Sequence, residues 1–288
     1  SAEGLPAGTP DDFHYYDFEV PKESVTLYAR EEWQAMPRLK LLGGLQLTRH
    51  SWSLEDSEVL GYGYDVEYDW LAPRVGAHLD LGAGWSGYAS VSHSRREPSA
   101  LSLFDPNKGI YDPTVSKVSF RNIDEETGRL TDPIPQEEKL TDYELGFEYR
   151  SERLHGKLTL YDMQFEDEIV PLGGLNDIGE VITTNAEEST HRGIELEGAA
   201  RLASRWDLYG HFTVAQDEHD KFLVPDGSGG TVDLAGNRVA GFPESTGRLA
   251  LAYKPGWGRV ELAARHSGRV YFDNTETKNL SVDPYEVM

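Results

Sequence analysis

The 288 residues include no cysteine, which removes disulfide scaffolds, thiolate metal sites and cysteine nucleophiles and leaves the redox compartment open. Basic residues are scarce: 27 Lys and Arg stand against 50 Asp and Glu, a formal charge of −23. Such a chain is repelled by phosphates, which argues against nucleic acid and against an anionic membrane surface as electrostatic partners. There is no run of about 18 apolar residues, so no helix long enough to cross a bilayer is expected. That excludes helical membrane proteins only, because the strands of a transmembrane barrel are each a weak hydropathy signal, compatible with a mean hydropathy of −0.54. Neither a G-x-S-x-G stretch nor a phosphate-cradling GxxxxGK[ST] occurs, and Ser, His and Asp fall in no nucleophile setting, so no enzyme and no bound cofactor are expected. The sequence starts at Ser1 without a signal peptide, as a mature segment or a fragment does.

What is present is alternation with period two. Val25, Leu27 and Ala29 interleave with Thr26, Tyr28 and Arg30; Val75, Ala77, Leu79 and Leu81 with Arg74, His78 and Asp80; Tyr143, Leu145 and Phe147 with Asp142, Glu144 and Glu148. The stretch from Ile194 repeats the pattern, with Leu196, Trp206, Leu208 and Phe212 set against Glu195, Glu197, Asp207 and His211. Period two means strands with one apolar and one polar face. Several run to ten or more residues, beyond the usual five or six of globular sheets and equal to the 9–11 tilted residues that cross a bilayer.

The connections alternate as strictly as the side chains. Tight turns are expected near 35–37, 82–84, 151–153, 202–204 and 255–257, and long connections rich in Gly, Pro, Asp and Asn at roughly 53–69, 97–140, 169–188, 218–243 and 272–282. A β-sandwich gives no reason for that alternation, whereas an outer-membrane barrel has short turns on one side and ligand-meeting loops on the other. Trp33, Trp85, Trp206 and Trp257 each lie within about two residues of a tight turn, as does Tyr149, the placement of an interfacial aromatic girdle. The competing reading makes these the core aromatics, or carbohydrate-stacking platforms, of a soluble secreted β-sandwich protein that binds or cleaves carbohydrate.

Three long stretches, "VTLYAREEWQAMPRLKLLGGLQLTRH", "LAPRVGAHLDLGAGWSGYASVSHSRREPS" and the region from "KLTDYELGFEYR" through "LYDMQFEDEIV" to "NAEESTHRGIELEGAARL", resemble consecutive barrel strands of TonB-dependent outer-membrane receptors. The order and spacing of "YELG", "LYDMQFEDEIV" and "HRGIELE" carry most of the resemblance, which covers about residue 20 to the end. It implies an all-β, antiparallel transmembrane barrel segment in the bacterial outer membrane, with 10–12 strands of an expected 22, periplasmic turns and extracellular loops. It also implies uptake of a scarce solute, an iron complex such as a ferric siderophore before others, with TonB as partner through an N-terminal part and lipid around the barrel. Receptors of this family are similar in carrying a plug domain and a TonB box; neither is recognisable here, and "YEVM" reads as the start of a further strand, so residues 1–288 are expected to form a partial barrel domain.

Few residues stand out as sites. Arg95 and Arg96 of "SRREPS" fall at the outer end of a strand, where they reach an anionic ligand or pair with neighbouring carboxylates. "DEHD" (Asp217, Glu218, His219, Asp220) gathers hard oxygen ligands and an imidazole, yet lacks EF-hand or zinc spacing and reads as a solvated loop mouth, with His219 a ligand candidate and no metal expected. "DPNKGIYDP" (105–113) and "DGSGG" (226–230) are turn chemistry. The inward carboxylates read as solvated or paired with arginines of a plug.

Overall fold

Residues alternating over so many positions form strands in the computed structural model, which describes residues 19–55, 63–104, 119–175, 179, 181–226 and 228–288. The strands are β1 (Lys22–Met36), β2 (Leu39–Leu54), β3 (Tyr64–Gly82), β4 (Trp85–Arg96), β5 (Phe120–Ile123), β6 (Leu130–Pro133), β7 (Glu138–Arg150), β8 (Leu154–Leu175), β9 (Val181–Ala203) and β10 (Trp206–Lys221). They continue with β11 (Leu223–Pro225), β12 (Thr231–Asp233), β13 (Ser245–Tyr253), β14 (Val260–Ser267), β15 (Val270–Tyr271), β16 (Ser281–Val282) and β17 (Tyr285–Val287). A single helical turn, α1 (Ala100–Leu103), is capped by Ser99, whose hydroxyl accepts from the Ser102 amide.

One sheet runs β1-β2-β3-β4-β7-β8-β9-β10-β13-β14-β17, every step between sequential neighbours and antiparallel. That is the connectivity of an up-and-down meander, so all tight turns fall at one end and all long connections at the other. A two-layer sandwich is thereby ruled out. Among the described residues the sheet does not close: β1 pairs only with β2, and β17 only with β14.

One tight turn needs backbone that glycine tolerates best. At the β3–β4 reversal Gly82, Ala83 and Gly84 all have positive φ, and a Cβ on Gly84 would sit 2.3 Å from the Arg150 carbonyl oxygen. The long end differs from expectation because strands run further into it: 64–69 belong to β3 and 218–221 to β10, and the largest change is at the β8–β9 connection. The segment 169–188 is largely paired strand, with Val170 opposite Thr184 and Pro171 opposite Thr183, so β8 and β9 reach 22 and 23 residues. Period-two reading stops at Asp167 because its φ of 55° breaks the alternation. Of the loop stretches singled out in the sequence, 105–113 and Gly227 lie outside the described residues.

Cross-strand register turns the alternating residues into rows. One runs Leu145, Leu160, Ile194, Val214 and the next Phe147, Leu158, Leu196, Phe212, most of them exposed large apolar side chains. Going away from the turns, this outward face changes character at the same level on strand after strand: Leu47 gives way to Arg49, Leu71 to Asp69, Leu160 to Asp162, Ile194 to Arg192 and Val214 to Gln216. The apolar band on β10 is therefore Trp206 to Val214 and on β9 Ile194 to Leu202, the length needed to cross hydrocarbon. Its lower border is aromatic. Trp85 packs on Tyr149 with centroids 4.8 Å apart, Trp206 on Tyr253 at 4.6 Å, and Trp257 is 82% exposed.

The two buried apolar clusters lie beyond the band, at the long-connection end. In one, Leu103, Phe104 and Leu130 from the β4–β7 connection cover Trp52, Leu54, Tyr64 and Val66 of β2 and β3. In the other, Phe222, Leu234 and Val239 pack on Val170 and Ala186.

Candidate functional site

The face opposite the apolar band is polar along its whole height. Near the turns Tyr209, Arg248, Arg259 and Glu261 form one network, with Arg259 Nη2 2.8 Å from the Tyr209 hydroxyl and Arg248 pairing with Glu261. Higher up, Tyr88 lies flat across Gly146, where a Cβ would come within 1.9 Å of its ring, and Lys157 Nζ stands 5.2 Å from the same ring. From Glu197, between these tiers, through Glu195, level with Tyr88, to Glu144 and Asp142 above it, four carboxylates are without a basic group within 4.0 Å among the described residues. These four carboxylates on one wall are in no ion pair among the described residues.

Above the band, two groups of side chains form the outer wall. In the first, His191 on β9 lies between carboxylates from both neighbouring strands: Nδ1 is 3.0 Å from Asp217 and Nε2 is 3.1 Å from Glu168. The left-handed Asp167 precedes Glu168 on β8, and the ring packs edge-on against Phe165 and Phe242. Burial works against a proton on this ring, but the hydrogen bonds to Asp217 and Glu168 outweigh it, and the pKa is raised from 6.5 to about 9. An imidazolium thus bridges three strands. Arg238 reaches toward Asp217 and also donates to the Ala215 carbonyl, joining the β10–β13 connection to the cluster. Asn274 ties in a further connection: it donates to the Pro171 carbonyl and accepts from the Ala240 amide.

The second group is aromatic. His50, Trp52, Tyr64, Tyr68 and Trp70 share the inner face of β2 and β3, with the Trp70 indole donating to Glu137. His50 Nδ1, Trp52 Nε1 and the Tyr64 and Tyr68 hydroxyls are buried with no partner among the described residues. Burial pushes both phenols up to about 12, with the nearby Glu137 and Glu97 carboxylates adding to the shift at Tyr68, so both remain donors.

Arg95 and Arg96 are where the sequence puts them, at the outer end of β4. Each is held by a carboxylate, Arg95 by Glu137 at 2.7 Å and Arg96 by Glu138 at 2.6 Å. His219 is on β10, with three strands between it and β4, so the candidates do not converge. The expectation of a solvated loop mouth at "DEHD" is corrected. Asp217 is 3% and His219 1% exposed, because the strand continues through them and the β10–β13 connection folds over them, its Gly236 amide donating to the His219 carbonyl. Burial lowers the basicity of His219, the Asn274 side chain and the Glu168 charge opposing it. Among the described residues no group of three or more His, Asp and Glu side chains is arranged to hold a metal ion. Sequence reasoning missed the His191 cluster. Its signal was the parity shared by His191, Glu195 and Glu197, but Glu168 is out of phase by the Asp167 kink.

A family model described as TonB dependent receptor-like, beta-barrel matches residues 2–288. No curated protein matches by sequence. Among solved structures the chain is similar to the siderophore receptor PiuA from Acinetobacter baumannii, at 20% identity and a TM-score of 0.67, over 94% of this chain and 36% of that one. It is similar to the ferric yersiniabactin uptake receptor FyuA from Yersinia pestis, at 18% identity and a TM-score of 0.67, covering 93% and 37%. It also resembles the copper transporter OprC, at 17% identity and a TM-score of 0.68, covering 93% and 39%. These identities establish a shared fold, and the chain spans little more than a third of the length of these receptors. With a continuous antiparallel meander, an apolar outer band and a family match over nearly every residue, this chain belongs to the TonB-dependent receptors, a family of outer-membrane transporters rather than enzymes.

Proposed function

We propose that the chain is part of the barrel wall of an outer-membrane receptor that takes up a scarce solute, an iron complex before others, with energy supplied through TonB. The observation that carries this reading is the inversion of polarity: apolar rows face outward over a bilayer's thickness, while the inner wall is charged. The tight turns are periplasmic and the long connections extracellular. The carboxylates of Asp142, Glu144, Glu195 and Glu197 meet cationic side chains of a plug contributed by residues outside this chain.

The siderophore and ferric yersiniabactin receptors among the similar structures support an iron complex as the solute. Arg95 and Arg96 are its anion contacts, because each guanidinium remains partly exposed beside its carboxylate and exchanges one anion for another. His219 acts from inside the wall, by shaping the mouth rather than by contact. The outer membrane holds no ATP, so a partner must deliver energy. Deleting TonB in the source cell should abolish accumulation of the solute and leave its surface binding unchanged, whereas deleting 97–140 should weaken binding itself. Uptake that persists without TonB would make the protein a passive pore or an adhesin. An assay with ferric siderophores and with copper in parallel names the solute.

A further inference from the structure

The sequence argues against an anionic membrane surface as a partner on total charge, but the charge is not spread evenly. The tight turns, residues 37–38, 83–84, 151–153, 204–205 and 254–259, carry Arg38, Arg153, Arg205, Lys254 and Arg259 against the lone acid Glu152. Five positive and one negative residue give +4, in a chain whose total is −23. The described long connections, 55, 63, 97–104, 119–137, 179, 222–226, 228–244 and 268–284, carry five basic and thirteen acidic residues, which gives −8. A bilayer's hydrocarbon separates the ends by about 25 Å, some three Debye lengths at physiological salt, so the acidic end does not cancel the field at the turns.

Ion pairing sharpens the contrast. Lys254 pairs with Asp207 and Arg259 with Glu261. Arg38, Arg153 and Arg205 are exposed, and none has a carboxylate within 4.0 Å among the described residues. Each projects from a tight turn just past the aromatic border of Trp33, Trp85, Tyr149 and Trp206. Aromatic rings of that kind settle at headgroup level, and an arginine in the turn beyond them reaches the phosphate layer. Arg153 lines an open cavity of about 520 Å³, together with Glu152, Arg201, Ala203, Ser204 and Lys254, large enough for a glycerophosphate headgroup.

The geometry points to a second interaction surface: the rim of tight turns binds anionic phospholipid headgroups through Arg38, Arg153 and Arg205. This rests on the membrane-spanning reading proposed above. It makes the lipid an oriented ligand rather than a bulk solvent, because guanidinium pairs with the phosphate diester, whose charge a zwitterionic lipid already balances with its own ammonium group and an anionic lipid does not.

The test uses the complete receptor refolded into vesicles of phosphatidylcholine with and without phosphatidylglycerol, with lipid retained after extraction quantified by mass spectrometry. Heat-modifiable migration reports insertion; its absence for the unaltered protein sinks the membrane reading itself, and with it this proposal. Given insertion, the protein should retain phosphatidylglycerol over phosphatidylcholine. The triple variant R38Q/R153Q/R205Q should insert and lose at least tenfold of that preference, each basic residue at an anionic surface being worth roughly fivefold. The triple lysine variant R38K/R153K/R205K should retain most of it, which separates charge from folding should the glutamine variant not insert. The preference of the unaltered protein should also fall as salt is raised to about 0.5 M. A preference unchanged in the glutamine variant, or unaffected by salt, overturns the proposal. So does displacement of the lipid by inorganic phosphate as readily as by phosphatidylglycerol, which would mark a free-phosphate site.

Discussion

At one end of the sheet the chain reverses in two to six residues and carries unpaired arginines; at the other it wanders through acidic connections that hold most of the left-handed glycines and build both buried apolar clusters. The turn end has no core and needs none, because adjacent strands and the membrane hold it. The outer end has passed beyond lipid, so its side chains must bury one another, and there the family's fold becomes this chain's own architecture. Local periodicity governs the first region and contacts between residues far apart in sequence govern the second. Asn274 bonding to Pro171, 103 residues away, is the clearest case.

The largest effect should come from removing His191. His191→Leu leaves the buried Asp217 and Glu168 carboxylates without their shared cation, and breaking a buried pair costs about 3–5 kcal/mol. Amide hydrogen exchange should accelerate in β8–β10 above Ile194 and hardly at the turns; equal acceleration at both ends would erase the distinction between them. The same cluster gives a pH signature. The folded pKa is raised from 6.5 to about 9, so its stabilisation is fully present below pH 6.5 and is lost as pH rises through about 9. Exchange protection of the outer end should fall across that window in the native protein and be flat in His191→Leu.

Next in size is a charge in the band. Leu208→Arg should cost about 2–4 kcal/mol in a refolding titration of the complete receptor, against less than about 1 kcal/mol for His211→Arg on the inner wall. Gly84→Ala should follow at about 1–3 kcal/mol, because φ is 85° and the new Cβ meets the Arg150 carbonyl oxygen. Gly128→Ala, in the outer connection with φ of 70° but open space around it, should cost less. The smallest is Arg95→Ala: a partly exposed ion pair contributes about 0–1 kcal/mol to stability, so any large effect there should be on solute binding alone.

The band was legible in the sequence because period two is written residue by residue, as Ile194 to Phe212 shows. The turns were legible to within two residues through Gly82-Ala83-Gly84 and Pro255-Gly256. The outer wall was not. Nothing in "DEHD" says that Asp217 meets His191 on the neighbouring strand or that the following connection covers His219, since both depend on register and on a loop's path. The aromatic wall was missed as well, because most of "YDVEYDW" falls in the stretch expected as the 53–69 connection, and its coverage by Leu103 and Leu130 joins segments far apart in the chain.

Because the sequence contains no cysteine, single cysteines placed from Trp206 to Lys221 and carrying a spin label read the central claim directly. In the vesicle-embedded receptor oxygen accessibility should peak at 206, 208, 210, 212 and 214, while a water-soluble nickel reagent reaches 216, 218 and 220 instead, with the crossover between Val214 and Gln216. Uniform access of the nickel reagent along both faces, or oxygen peaks at the odd positions, would contradict it.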